Sequence, residues 1–115
     1  MSEDKHQRNK RNLAEWAEIA WNDNDWDWSS IIEILAFKLT KMSIQMAHGI
    51  SEGCEKRAGQ MNRCVLFLQR IIDDDYETPS LWWRGKDIQY EDYMRQQDFD
   101  FAMRIMSKHI FRWWD

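Results

Sequence analysis

The apolar positions of this chain recur in steps of four and three. Trp28, Ile32, Leu35, Leu39, Met42 and Met46 are spaced 4, 3, 4, 3 and 4. After Gly49 and Gly53 the same beat resumes with Cys54, Ala58, Met61, Val65, Leu68 and Ile72. A period near 3.6 residues marks one face of an α-helix. Two seams of equal length, joined by a short Gly-containing break, predict an antiparallel helical hairpin. Phe99, Met103, Met106, Ile110 and Trp113 repeat the spacing and predict a helix over 98–113. Leu13, Trp16, Ala17 and Ala20 predict a short helix over 12–21, which must dock on the hairpin to persist. The expected fold is all-α: a single domain of 1–115, an antiparallel bundle of three long helices plus a short N-terminal one.

The boundaries have their own signals. Asn22 to Asp27 is a run of turn-forming residues interrupted by Trp26. Ser30 followed by Glu33 has the spacing of a capping box for a helix over 29–48. Gly49 suits a left-handed residue after that helix, and the next one is expected over 51–74. Residues 1–11 are expected to be a flexible basic arm. Residues 76–97 show no clean period and are expected to be a long connecting loop with room for a short helix around Ile88 to Met94, and with Trp82, Trp83, Arg84 and Lys86 as an aromatic and basic patch. Ile31, Ile34, Phe37 and Ile44 widen the apolar face of the first hairpin helix, and Phe67 and Ile71 that of the second. Faces this wide require burial on two sides, by the outer helices or by a second subunit, so a homo-oligomer is expected.

Composition adds exclusions. The chain has eight tryptophans and a single proline, which favours helix over strand. No apolar run reaches the roughly 20 residues of a membrane span. The polar stretch at 1–12 has no apolar core of a secretory signal, so a cytosolic location is expected. Cys54 and Cys64 fall on one predicted helix about 15 Å apart, too far for a disulfide. They are expected to be free thiols, with no metal bound. Asp23, Asp25 and Asp27 alternate like the start of a calcium loop, but Trp28 and Ile34 stand where the required Gly and Glu would be. A formal net charge of −4 argues against generic nucleic-acid binding.

The charges sort to two poles. Antiparallel packing puts Asp23, Asp25 and Asp27 beside Asp73, Asp74 and Asp75. Their bland reading is internal pairing with Arg84 and Lys86; their functional reading, with Trp82 and Trp83, is a docking face for a partner. The opposite pole collects His48, Ser51, Lys56, Arg57, His109, Arg112 and Trp113. Free N–H groups at a helix start beside cations form an anion site, and Trp113 would offer a stacking face for a base. The ligand of such a site would bear phosphate. Basic residues at helix C-termini are also ordinary dipole complements, and a terminal Trp often plugs a core. His48 and His109 have no nucleophile at a fixed spacing, and the carboxylates form no acid and base pair, so no catalytic residues and no cofactor are assigned.

Three stretches resemble a group of small helical proteins encoded by tailed bacteriophages. They are Asp25-Trp26-Asp27-Trp28 leading into Ile34 to Leu39, Met61 to Tyr76, and the ending Lys108-His109-Ile110-Phe111-Arg112-Trp113-Trp114-Asp115. The resemblance implies an accessory protein working in the cytoplasm of an infected bacterium. It carries no activity onto particular residues. The expectation is a non-enzymatic binding protein with a counter-defence role, sequestering a phosphate-bearing nucleotide signal at the basic pole. The alternatives are an inhibitor docking on a host protein through its acidic or aromatic surface, and a structural protein self-associating through Ile34, Phe37, Ile44 and Phe67.

Overall fold

The computed structural model describes residues 3–74, 76 and 87–114. Asp75, Trp82, Trp83, Arg84 and Lys86 lie outside the described residues. Among those described there are four α-helices and no strand: α1 (Lys5–Trp21), α2 (Ser29–Ala47), α3 (Cys54–Asp73) and α4 (Asp87–His109), followed by a 3-10 turn, Ile110–Arg112. The expected all-α antiparallel bundle is present. No helix among the described residues is long and apolar enough to cross a membrane.

The core is organised on α3. Met61, Cys64 and Leu68 are fully buried there, and α2 closes on them with Ile32, Ala36, Leu39 and Met46. A second, adjacent face of α3 receives α4. Phe67 packs on Phe101 with ring centroids 5.2 Å apart. The Cys64 thiol approaches the Ala102 carbonyl at 3.5 Å. Arg70 Nε lies 3.3 Å from Asp98 Oδ2. Trp113 Nε1 donates to Gln60 Oε1 at 2.9 Å. As numbers fall along α3 they rise along α4, so the two helices are antiparallel. Cys54 and Cys64 are both buried and neither is in a disulfide, and burial pushes the Cys64 thiol up to about 11.

Four features differ from the sequence reading. Residues 5–11 are the first turns of α1 and not an arm: Asp4 accepts from the Gln7 N–H at 2.7 Å while Gln7 Oε1 accepts from the Asp4 N–H. That reciprocal cap satisfies two of the free donors at the helix start. The stretch 87–97, expected within the loop, belongs to α4. Its half-buried positions include the polar Glu91, Arg95 and Gln97, which hides the apolar period; the next residue, Asp98, is buried to 1% exposure. At the start of α2 the cap is not Ser30. Trp28 occupies the cap position without a side-chain bond, and Asp27 Oδ1 accepts from the Ser29 N–H at 3.1 Å. The left-handed glycine is Gly53, at φ 86°, and not Gly49.

Helix α1 is the outlier. It buries no residue fully. It meets α2 through Trp16, set edge-on to Phe37 with centroids 4.6 Å apart, and through Lys41, which bonds Glu15 and, at 3.0 Å, Asn12 Oδ1. Lys41, and then Arg11, hold the Glu15 carboxyl below the usual range. The resulting molecule is elongated. Its Cα radius of gyration is 17.1 Å, against about 13 Å for a compact domain near this size.

Asp98 is held by the Tyr76 hydroxyl, which donates to its Oδ2 at 2.8 Å, and by Arg70. Burial, reinforced by that bond, raises the Tyr76 hydroxyl above its ordinary pKa. A phenol raised in the folded state stabilises fully below its unfolded value, about pH 10, and loses that contribution as pH rises further. Tyr76→Phe should cost about 2 kcal/mol in urea unfolding at pH 7, as expected for a hydrogen bond to a charged group. The variant should also lack part of the wild-type loss of stability above about pH 10.

Candidate functional site

The basic pole forms where the α2–α3 connection meets the chain's C-terminal turn. The Gly53 backbone, left-handed at φ 86°, lets α3 start directly under Arg57. Arg57 donates to the Glu52 carbonyl at 3.2 Å, and its guanidinium lies 5.7 Å from the Trp114 ring centre. Trp114 is 65% exposed. Trp113, expected as the stacking face, is instead buried and bonded to Gln60. A 3-10 turn tightens the end of α4 and points Trp113 inward, so its neighbour takes the outer position. Sequence spacing could not separate the two adjacent tryptophans.

The remaining residues expected at this pole are scattered in role. Lys108 and His109 close the last turn of α4, where cations complement the helix dipole. The Ser51 carbonyl accepts from the Cys54 N–H at 3.3 Å. His48 is the residue following α2 and is exposed, as are Lys56 and Arg112. The structure thus brings Arg57 and the C-terminal aromatic pair together. Lys56 is exposed beside Arg57 in the first turn of α3, together with the carboxylate of Glu55.

The acidic pole is partly neutralised. Asp73 accepts from Gln69 at 2.8 Å. Asp74, left-handed at φ 49° as the α3 cap, pairs with Arg95 at 2.7 Å. The internal cation there is therefore a residue of α4 that the sequence reading had placed in the loop. Arg95 also pairs with Asp92 at 3.0 Å, and its Nε is buried without an acceptor. Its guanidinium stands 5.7 Å from the Trp28 ring centre. Between them opens a groove of about 430 Å³, floored by Ile31, Ile32, Ile71 and Phe99. Trp28 is 52% exposed at its edge. Sequence reasoning placed Trp28 in a core seam and missed this groove, because Arg95 reaches it only through the early start of α4.

A second concavity runs between α1 and α2. Arg8, Arg11, Lys38 and Lys41 line it against a single carboxylate, Glu15. A third lies at the opposite end of the same helix pair, around Asp23, Asp25, Asp27 and the exposed Trp26. Of the residues expected to drive self-association, Phe37 and Phe67 are committed to Trp16 and Phe101. Ile34 and Ile44 remain exposed. Among the described residues no three His, Cys, Asp or Glu side chains gather as a metal-ligand set.

No family model matches the chain, and neither a curated protein nor a solved structure shows significant similarity to it. The groove and the poles must therefore be judged on their own chemistry.

The burial of Trp113 has a measurable consequence. Trp113→Ala removes a large buried ring and orphans Gln60, so it should cost about 3–5 kcal/mol in chemical denaturation. Trp114→Ala should stay within about 0.5 kcal/mol of wild type. Equal, small effects would mean that Trp113 is an exposed platform.

Proposed function

We propose that this protein is a non-enzymatic binding protein that docks on another protein through the Trp28–Arg95 groove. The supporting observation is the groove's make-up. A half-exposed Trp with a guanidinium against its ring stands over an open floor of Ile and Phe side chains. Interfaces concentrate their binding energy in Trp and Arg residues set in apolar pockets. The width of the groove suits an aliphatic or aromatic anchor from a partner chain. The resemblance to small phage proteins makes a bacterial host protein the natural target and counter-defence the setting.

The nucleotide reading keeps one specific support, the exposed Arg57–Trp114 stack beside Lys56 and Arg112. It loses another, because Trp113 offers no free face. Protein docking therefore ranks first and nucleotide sequestration second.

Two experiments separate them. Trp28→Ala should abolish retention of a host protein by immobilised protein, with the melting temperature within a few degrees of wild type, while Arg57→Ala retains it. Titration with mono-, di- and cyclic nucleotides should leave Trp fluorescence and melting temperature unchanged. A saturable nucleotide response that disappears in Arg57→Ala would reverse the ranking, since a ligand at 100 times its Kd stabilises by about 2.7 kcal/mol.

A further inference from the structure

Helix α2 carries a second stripe besides the one that packs on α3. Ile31, Ile34, Lys38, Lys41 and Gln45 are spaced 3, 4, 3 and 4, a heptad-like seam on another side of the helix from Ile32, Leu39 and Met46. Ile31 is 62% and Ile34 39% exposed. The stripe is polarised in charge. At its start lie Asp23, Asp25 and Asp27, with no cation lining that concavity. Towards its end lies the groove of four cations and one carboxylate. Within that groove Lys38 and Arg8 form no salt bridge among the described residues.

We infer that this face of α2 docks a second copy of the same chain, packed antiparallel about a two-fold axis near Ile34. The occupant follows from charge complementarity. Antiparallel packing brings the acidic end of each copy to the basic groove of the other, and a two-fold makes every such contact twice. With Ile34 on its own counterpart, the exposed Lys38, and not Lys41, which is held by Glu15, is the α2 cation that reaches the partner's acidic end. Lys38 then faces the start of the partner's α2, next to Asp25 and Asp27. Parallel packing would set like charges against each other and is disfavoured. The inference does not depend on the Trp28–Arg95 groove being a docking site. The two surfaces share Ile31, but the dimer seam is centred on Ile34, which does not line that groove.

The test is a cysteine on the axis. Only at a two-fold can a residue meet itself, and a disulfide needs Cα atoms within about 7 Å. Cys54 and Cys64 are buried and should not compete. Ile34→Cys should therefore give a disulfide-linked dimer under mild oxidation, whereas Gly59→Cys, on an exposed position of α3 with open space around it, should not. In sedimentation equilibrium wild type should dimerise more weakly as salt rises. Ile34→Glu should raise the dimer Kd about tenfold or more, with an unchanged circular dichroism spectrum. Lys38→Asp should weaken the dimer, and Lys38→Asp with Asp25→Lys should recover part of the loss. A chain that stays monomeric at about 100 μM, far above the micromolar range of such interfaces, would overturn the inference. So would a dimer indifferent to Ile34→Glu, or a monomer that binds a polyanion such as heparin through Arg8 and Lys38.

Discussion

Helix α3 has to bury two adjacent faces at once, and the rest of the structure follows from that requirement. One face, built on Ala58, Met61 and Leu68, is met by α2; the other, built on Gln60, Cys64 and Ile71, is met by α4. Full burial of a side chain such as Met61 or Leu68 contributes about 1.5–3 kcal/mol. No surface contact in the molecule approaches that. The second face is not purely apolar. Gln60 and Arg70 sit near its two ends, and each selects a polar group on the C-terminal segment packed against it, Trp113 Nε1 and Asp98. Hydrophobic burial therefore brings α4 to α3, and the two polar contacts fix its register. A one-turn slip would leave both buried groups unsatisfied, at a cost larger than the bonds themselves contribute.

Outside this three-helix core the balance changes. Helix α1 has a good N-terminal cap and several ion pairs, yet it buries no side chain fully. Exposed ion pairs are screened by water and contribute little. A helix of 17 residues is only marginally stable alone. Its anchorage rests on the Trp16–Phe37 contact and on Lys41. Leu13, at 74% exposure, and Trp21, at 89%, remain uncovered. Together with Trp26, Ile31 and Ile44, they leave several large apolar side chains of the α1–α2 layer in water. The functional and self-association proposals both address this exposure, from different sides of α2.

Much of the architecture was legible because repeated apolar residues reveal which helix faces must be buried. The α2 and α3 seams and the antiparallel hairpin follow directly from the 4, 3, 4, 3 spacing. The early start of α1 was signalled only by Asp4 and Gln7, a cap without any apolar residue behind it before Leu13. The early start of α4 was masked for a different reason. Its half-buried positions before Asp98 include the polar Glu91, Arg95 and Gln97, so no apolar period marks them. The sites were less legible still. Periodicity can say that a tryptophan lies near a helix end, but not that Trp113 turns inward while Trp114 stays out. Nor can it show that Arg95 of α4 lies over the ring of Trp28 on the segment before α2.

The claim on which the rest depends is that α2, α3 and α4 form the stable unit, while α1 is held weakly and completed by contacts outside the monomer. Amide hydrogen exchange measures this most directly, because it reports local opening free energy helix by helix. In dilute solution we expect α3 amides to exchange only through global unfolding and α1 amides to exchange orders of magnitude faster, with α1 protection rising as protein concentration is raised. Protection of α1 equal to that of α3 in a dilute monomer would contradict the claim. It would mean that the few contacts to α2 already suffice to hold the helix.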